Sequence, residues 1–444
     1  MKIHGGAQRM LLAVGAGALV IAMSGCTDSA QPAPQSQVSN FEPELVEPAQ
    51  PTQELAGLER VPWEGGPEYW KQFDRAREAG WASEDFFPIV SWFNGISSNE
   101  EVAFDKSLGL NTYIGMAEET PYRLFADNDV FYIGPKLNET YDKKSVNWVG
   151  QLLGDELDGQ FGDPAEGLAH LQQQAQKVPS GFFKYTNFTQ LVIGNDMDSH
   201  ASENYVNGPL DVASLDMYWY TVPFCSNRPY RNIYLEPVSK DHCRSASSYG
   251  KAVKALWLRD GVDGEHKPIW QFVENYNGGP GGQPLVATIK PKELEGAVVS
   301  SLINEARGIL YFNQSLSGDC QTGNVFRETQ LDPKFCAADT VKAAARVNAK
   351  IHDLARVLNT QSYVHDFGTG LQSMLKADDG YAYIFAMTDG ESQPGERVFH
   401  LPKQISGHEI EVLYEKRSIM TDDQGIFTDE FAEESTYHIY KVKL

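Results

Sequence analysis

The fold of this chain is best predicted from one stretch, Trp148-Val-Gly-Gln-Leu-Leu-Gly-Asp155-Glu156-Leu-Asp158-Gly159. A short apolar run of this kind is typical of a buried parallel strand. Acidic residues are excluded from the interior of such a strand, because burying an unpaired carboxylate is strongly unfavourable. We therefore predict that Asp155 and Glu156 lie where the strand ends and a cavity begins.

A second stretch, Lys267-Pro-Ile-Trp-Gln-Phe-Val-Glu274-Asn275-Tyr276, has the same organisation. It is also an apolar run that ends in a glutamate, Glu274. Two buried strands that each carry a glutamate at the C-terminal tip are typical of a barrel with paired carboxylates at its mouth.

Strand-like and helix-like patterns alternate between residues 60 and 358. We predict eight strands, at residues 86–93, 112–116, 130–134, 149–156, 181–186, 212–219, 268–274 and 308–313. We predict helices at residues 164–177, 247–258, 291–306 and 337–358. Strands that alternate with helices indicate a parallel sheet, and eight such units predict an α/β fold, the (β/α)8 TIM barrel, over residues 58–360.

The last part of the chain, residues 361–444, has a different pattern. Apolar and polar residues alternate at 381–387, 409–414 and 436–442, and these segments are separated by Gly, Asp and Pro. This pattern predicts an antiparallel, β-sandwich-like accessory domain. We expect it to pack on the flank of the barrel.

The N-terminus has the features of an export signal. Lys2 and Arg9 precede an apolar run at residues 10–23, which is shorter than the roughly 20 residues that a membrane span requires. Such a run is typical of a secretory signal, and an uncleaved apolar tail is the alternative. Met23-Ser24-Gly25-Cys26 resembles the lipobox of bacterial lipoproteins. The resemblance implies a signal peptide at residues 1–25, lipidation of Cys26, and anchoring at the cell surface or the periplasmic face of a membrane.

Residues 26–57 are rich in Pro, Gln, Ser and Glu, which predicts a disordered tether. The whole chain has 60 acidic and 37 basic residues, for a net charge of −23. This charge excludes electrostatic binding to nucleic acid or to an anionic membrane surface. We therefore expect the protein to contact a membrane only through its lipid anchor. We also expect it to be a monomer.

The other four cysteines form two local pairs. We predict the disulfides Cys225–Cys243 and Cys320–Cys336, although four cysteines allow three connectivities. Loops of this length gain about 3 kcal/mol each from closure in the chain-entropy model. A four-cysteine metal site is disfavoured, because no Cys-x-x-Cys spacing occurs.

With its two strand-end glutamates, the chain resembles the retaining glycoside hydrolases of clan A over about residues 60–358. In that clan the acid/base glutamate ends strand 4 and the nucleophile glutamate ends strand 7. Glu156 ends the fourth predicted strand and Glu274 the seventh. The resemblance implies that Glu156 is the acid/base, that Glu274 is the nucleophile and that no cofactor is required. The clan usually has asparagine before the acid/base, whereas this chain has Asp155, which can also accept a hydrogen bond from a sugar hydroxyl.

Aromatic and polar side chains near the predicted strand ends are candidates for substrate binding. Sugar rings pack their C–H faces on aromatic rings, and their hydroxyls require polar partners. We predict that the binding residues are Trp92, Asp155, Asn187, Tyr218, Tyr220, Asn275, Tyr276 and Asn313. The clan resemblance implies that Tyr218 or Tyr220 lies beside the nucleophile. Trp270 lies inside a predicted strand, and we assign it to the core.

Other acidic residues compete with the two glutamates. We interpret Glu118, Glu119, Asp158 and Asp216 as binding or structural residues, with Asp158 as the first substitute if the assignment fails. The cluster formed by Asp196, Asp198 and His200 is spaced like a metal site but is typical of a polar loop, so no metal site is predicted.

The resemblance to clan A, together with the export signal, implies a retaining O-glycosyl hydrolase that acts on an extracellular oligo- or polysaccharide. One alternative is a non-catalytic carbohydrate-binding surface lipoprotein on a barrel scaffold. A third possibility, a metal-dependent deacetylase or phosphodiesterase, is disfavoured because His and Asp clusters are sparse.

Overall fold

Eight parallel strands close into a barrel in the computed structural model, which describes residues 55–62, 64–93, 95–221, 235–239, 241–279 and 287–444. Each strand pairs with the next in sequence, and the last pairs with the first, with Ile309 opposite Ile89. The barrel strands are β1 Ile89–Trp92, β2 Thr112–Ile114, β3 Phe131–Ile133, β4 Trp148–Asp155, β5 Phe183–Phe188, β6 Val212–Leu215, β7 Ile269–Glu274 and β8 Ile309–Phe312. The predicted TIM barrel is confirmed.

Two short helices precede the first barrel strand, and most of the other helices follow barrel strands and cover the outside of the barrel. Helix α6 begins with the expected capping residues: the Asp163 side chain accepts a hydrogen bond from Ala165 N–H, and Pro164 occupies the first helical position. The helices are α1 Pro67–Trp70, α2 Asp74–Glu78, α3 Asn99–Ser107, α4 Arg123–Ala126, α5 Leu157–Gln160, α6 Pro164–Gln176, α7 Ser199–Val206, α8 Ala246–Asp260, α9 Pro291–Ile303, α10 Val325–Leu331, α11 Ala338–Asp353 and α12 Ala355–Leu358.

Aromatic side chains fill the inside of the barrel. The Tyr185 and Trp270 rings are 5.4 Å apart, and the Trp92 and Phe272 rings are 5.1 Å apart. Trp270 is fully buried, which confirms its assignment to the core. Because large rings occupy the interior, polar groups at the strand tips lie above a packed core and not above a pore.

The C-terminal part contains two antiparallel sheets, as predicted. A five-stranded sheet has the order β13-β12-β15-β10-β9, and β11 pairs with β14 in a second sheet. The strands are β9 Leu371–Asp378, β10 Tyr381–Thr388, β11 Gly395–His400, β12 Glu409–Val412, β13 Arg417–Met420, β14 Ile426–Phe431 and β15 Tyr437–Lys443. We call residues 361–444 the β domain.

The larger sheet of the β domain is covered on both faces. On one face Phe385 and Ile439 line a small cavity with Val299 of α9 and Val347 of α11. On the other face Tyr440 packs on Phe399 of the smaller sheet, with the ring centroids 5.3 Å apart. The barrel and the β domain belong to one compact unit, Gln53–Leu444. The expected packing on the barrel flank is therefore observed.

Of the cysteine and export predictions, the structure tests one disulfide. Cys320 and Cys336 form a disulfide, as predicted, with their Cα atoms 6.4 Å apart. Cys225, the predicted partner of Cys243, lies outside the described residues, as do Cys26 and the signal peptide. Within the described residues, no helix is both long and apolar enough to cross a lipid bilayer. The buried side chain of Leu55 shows that the described part is already packed at its first residue.

Candidate active site

Glu156 follows the last residue of β4 and has a strained backbone. Its φ of 53° and ψ of 34° are in the left-handed region, which costs a residue other than glycine about 1–3 kcal/mol. This conformation turns the chain from β4 into α5, and Glu156 N–H donates a hydrogen bond to the Asn187 carbonyl at 2.9 Å. Such strain persists where the surroundings hold it, and it is frequent at functional sites.

A chain of hydrogen bonds across three strands orients Asp155. The Tyr185 and Ser214 hydroxyls are 2.6 Å apart, and Ser214 donates to Asn187 Oδ1 at 2.7 Å. Asn187 Nδ2 in turn donates to Asp155 Oδ1 at 2.9 Å. Burial raises the pKa of Asp155 to about 6, although the Asn187 hydrogen bond opposes that shift. Asn187, predicted to bind substrate, therefore holds Asp155 in place.

Asp216 lies directly after β6 and faces Glu156. A hydrogen bond joins its carboxyl group to that of Glu156. Burial, and then the neighbouring Glu156 charge, raise the pKa of Asp216 well above its ordinary value. A raised pKa favours the protonated form of Asp216 beside Glu156. The predicted strand 212–219 places Asp216 inside a strand, whereas the structure places it directly after the end of β6.

Glu274 is the last residue of β7 and is fully buried. Its carboxylate accepts a hydrogen bond from the Tyr249 hydroxyl at 2.6 Å and another from the Thr221 hydroxyl at 3.2 Å. Burial raises the pKa of Glu274 to about 7, and the two hydroxyls act in the opposite direction. The sequence did not predict the roles of Tyr249 and Thr221. Tyr249 lies inside a helix, and Thr221 lies in a connecting segment that has no motif.

Tyr218 follows β6 and packs against the ends of β7 and β8. Its ring packs 4.9 Å from that of Phe312. Burial raises its pKa, and so do the charges of four surrounding acids, in the order Asp216, Asp155, Glu156 and Glu274. Gly278 brings Tyr218 and Glu274 together, since a Cβ at this position would lie 2.6 Å from Tyr218 and 3.1 Å from Glu274 Cβ.

Two other predicted binding residues have their polar groups engaged elsewhere. The Tyr220 hydroxyl donates to Glu434 of the β domain at 2.7 Å. The Asn313 side chain donates to Asn324 at 2.8 Å and accepts from Phe326 N–H at 2.9 Å, which secures the start of α10. These contacts give both side chains structural partners, and their substrate-binding roles stay predictions.

The remaining predicted binding residues differ in environment. Trp92 is buried in the barrel core, and Tyr276 is half-buried. Asn275 is fully buried beside Glu274, and neither side-chain polar atom has a hydrogen-bond partner among the described residues. A buried amide without hydrogen-bond partners destabilises the folded state. The Asn275 side chain can therefore still form hydrogen bonds next to the strand-7 glutamate.

The competing acidic residues have other partners or are exposed. Asp158 is buried and accepts hydrogen bonds from the Thr189 amide at 3.1 Å and from its hydroxyl at 2.7 Å. Burial raises the pKa of Asp158 to about 6. Asp198 caps α7, and Glu118 and Glu119 are exposed. Within the part of the chain that the structure describes, no group of three or more His, Cys, Asp or Glu side chains is arranged to hold a metal ion.

Comparison with known proteins gives a result for the fold only. No model of a known protein family matches the chain, and no curated protein matches it. The structure is similar to that of a glycoside hydrolase of family 5 from Bacteroides vulgatus, with 11% identity, a TM-score of 0.51, and coverage of 81% of this chain and 89% of that chain. It is also similar to a structure described as a glycoside hydrolase, with 9% identity, a TM-score of 0.50, and coverage of 81% and 92%. At this identity the likeness establishes the fold.

Proposed function

We propose that this protein is a retaining glycoside hydrolase, with Glu156 as the acid/base and Glu274 as the nucleophile. The observation that carries the proposal is that Glu156 directly follows β4 and Glu274 is the last residue of β7, so both glutamates lie at the same mouth of the closed parallel barrel. Two glutamates at the mouth of a (β/α)8 barrel are the groups that glycosidic cleavage requires. The descriptions of the two similar structures as glycoside hydrolases support the same class of reaction.

The first half of the reaction requires a proton from the β4 side of the mouth. Glu156 transfers a proton to the glycosidic oxygen as the bond to the anomeric carbon breaks. The raised pKa of Asp216 favours a protonated carboxyl group beside Glu156. Asp155, held by Asn187, offers a carboxylate oxygen to a substrate hydroxyl beside the bond that breaks.

The second carboxylate supplies the covalent step. A Glu274 oxygen attacks the anomeric carbon and forms a glycosyl ester, and the leaving group departs with the proton from Glu156. Water activated by Glu156 then cleaves the ester, so the product retains its configuration. Tyr249 and Thr221 hold the attacking carboxylate, and the Asn275 amide is available for a sugar hydroxyl.

One observation favours the second candidate function, a non-catalytic carbohydrate-binding protein. Glu274 has no exposed surface, and a hydroxyl group binds each of its oxygens. A carboxylate in this environment also serves as a structural acceptor at the end of β7. The two functions differ in what they demand of Glu274, since only the enzyme requires its nucleophilic oxygen.

Two variants test the chemistry. We expect Glu274→Ala to abolish hydrolysis of every aryl glycoside that the unchanged protein cleaves, and azide to restore some activity with inverted product. We expect Glu156→Ala to reduce kcat most on substrates with poor leaving groups, because an activated aryl group needs little protonation. Glu118→Ala, at an exposed acid, is the matched control and keeps full activity. If the two glutamate variants hydrolyse their substrates at nearly normal rates, the binding function takes precedence.

We also propose that the protein is exported and anchored by lipid at Cys26, where it meets extracellular glycans. The lipobox-like sequence and the short apolar run before it support this location. Cell fractionation tests it: we expect Cys26→Ser to move from the membrane fraction to the soluble fraction. Unchanged membrane association of the variant counts against lipidation.

A further inference from the structure

Glu434, in the turn that precedes β15, contacts the barrel at the start of α8. Its Oε2 atom accepts a hydrogen bond from Ala246 N–H at 2.9 Å. The first N–H groups of a helix lack partners within the helix, and Ser245, at the N-cap position, makes no side-chain capping bond. A carboxylate from the β domain therefore caps α8, where the helix dipole favours negative charge.

The other oxygen of Glu434 holds Tyr220. The Tyr220 hydroxyl donates to Oε1 at 2.7 Å. One carboxylate thus joins the segment after β6 to the first turn of α8. This hydrogen bond gives the buried Tyr220 hydroxyl a partner in the β domain.

Both groups that Glu434 holds lead to Tyr249. Tyr249 lies one turn beyond Ala246 on α8, and its ring stacks on that of Tyr220 with centroids 5.7 Å apart. The Tyr220 N–H donates to the Tyr249 hydroxyl at 3.2 Å, and that hydroxyl donates to Glu274 at 2.6 Å. An unbroken series of contacts therefore runs from the β domain to the carboxylate at the tip of β7.

We infer that Glu434 is a positioning residue for Glu274, and that the β domain thereby forms part of the catalytic unit. The inference rests on the proposed function, in which Glu274 is the nucleophile. Glu434 acts through Tyr249 and does not touch the substrate. By fixing Tyr220 and the start of α8, it sets the distance and direction of the hydroxyl that stabilises the charged form of Glu274.

Other charged groups adjoin this series of contacts. Glu293 and Lys290, from α9 and its N-cap, act electrostatically on Glu434. Arg244, before α8, donates a hydrogen bond to the Tyr220 carbonyl and feels the charges of Tyr249 and Glu274. Each Glu434 oxygen accepts its own hydrogen bond, Oε2 from Ala246 N–H and Oε1 from the Tyr220 hydroxyl.

The test compares Glu434→Ala with Glu434→Gln and uses Glu433→Gln as the control. Glu433 is the exposed neighbour and pairs with Lys292 at the surface. We expect Glu434→Ala to lower kcat on an aryl glycoside about tenfold while KM changes less than twofold, because positioning of the nucleophile acts on the chemical step. The acid limb of the kcat/KM profile moves to higher pH, because the Tyr249 bond to charged Glu274 weakens. Glu434→Gln keeps one acceptor and recovers part of kcat, and Glu433→Gln matches the unchanged protein.

Each other outcome has a distinct meaning. If Glu434→Ala and Glu434→Gln both keep the original kcat and acid limb, the positioning role is wrong and the proposed function stands. If Glu433→Gln loses as much kcat as Glu434→Ala, the effect is not specific and the inference fails. If the unchanged protein hydrolyses no glycoside, the proposed function fails and the assignment falls with it. Should Glu434→Ala not fold, the comparison of Glu434→Gln with Glu433→Gln decides the question.

Discussion

At the scale of single residues, the environment of Glu274 determines when it carries charge. Full burial disfavours the carboxylate, while the hydroxyls of Tyr249 and Thr221 favour it. The balance raises its pKa to about 7. A nucleophile must be ionised, so activity in the proposed mechanism should fall as the pH drops through about 7.

Replacement of Tyr249 tests this balance. The Tyr249 hydroxyl stabilises only the charged form of Glu274, so Tyr249→Phe raises the pKa of Glu274 further. A hydrogen bond to a charged group contributes about 1.5–3 kcal/mol, and one pH unit corresponds to about 1.4 kcal/mol. We therefore expect the acid limb of kcat/KM to move up by about 1–2 pH units, measured with an aryl glycoside over a wide pH range.

A second buried tyrosine provides the control. The Tyr311 hydroxyl is hydrogen-bonded to Asn348 at 2.7 Å, behind β8. Tyr311→Phe removes a comparable buried bond but should leave the acid limb where it is. An unchanged limb in Tyr249→Phe, or an equal shift in both variants, would contradict the role of Tyr249.

At the scale of elements, the ends of strands matter more for the site than their interiors. β6 ends at Leu215, four residues before the predicted end at residue 219. This difference moves Asp216 from the inside of a strand to the tip, where it reaches Glu156. Aromatic residues after Asp216 continue the apolar pattern, although the chain has left the sheet, so periodicity could not locate this end.

The eight barrel strands were predictable because each is a short apolar run between helical patterns. The two glutamates were predictable because acids end two of those runs. The bond between Tyr249 and Glu274 was not predictable, since it joins a helix to a strand tip 25 residues away. The hydrogen bond between Glu434 and Tyr220 joins residues 214 positions apart and depends on how the β domain packs on the barrel. Local sequence patterns carry no information about such pairs.

The disulfide after β8 is an element whose contribution can be measured directly. Cys320 and Cys336 are separated by 16 positions, and a loop of this size restricts the unfolded chain by about 3 kcal/mol. We expect Cys320→Ser combined with Cys336→Ser to lower the free energy of unfolding by about 2–4 kcal/mol in denaturant titrations. Reduction of the unchanged protein should cost at least this amount, because it also breaks the predicted Cys225–Cys243 bond. Equal stability of the double variant and the oxidised, unchanged protein would contradict the expectation.

At the scale of the whole molecule, the β domain is a part of the folded unit and not an appendage. Phe385 and Ile439 pack on α9 and α11, while Ser300 of α9 donates to Gln372 at 3.0 Å. Helices of a barrel need a partner for any apolar surface that faces away from the strands. The β domain supplies this partner, so the two parts should lose structure together.

Phe385→Ala tests this coupling, because Phe385 is 1% exposed and lies where the larger sheet meets the barrel helices. Removing a buried phenylalanine side chain costs about 3–5 kcal/mol. All 8 tryptophans precede residue 361, so tryptophan fluorescence reports on the barrel alone. We expect the fluorescence transition and the far-UV circular dichroism transition to shift together to lower denaturant. Val398→Ala, at a 44% exposed position of β11, should shift neither. If the fluorescence midpoint stays fixed while circular dichroism shows an earlier step, the barrel folds without the β domain. That result would contradict the proposed coupling of the β domain to Glu274.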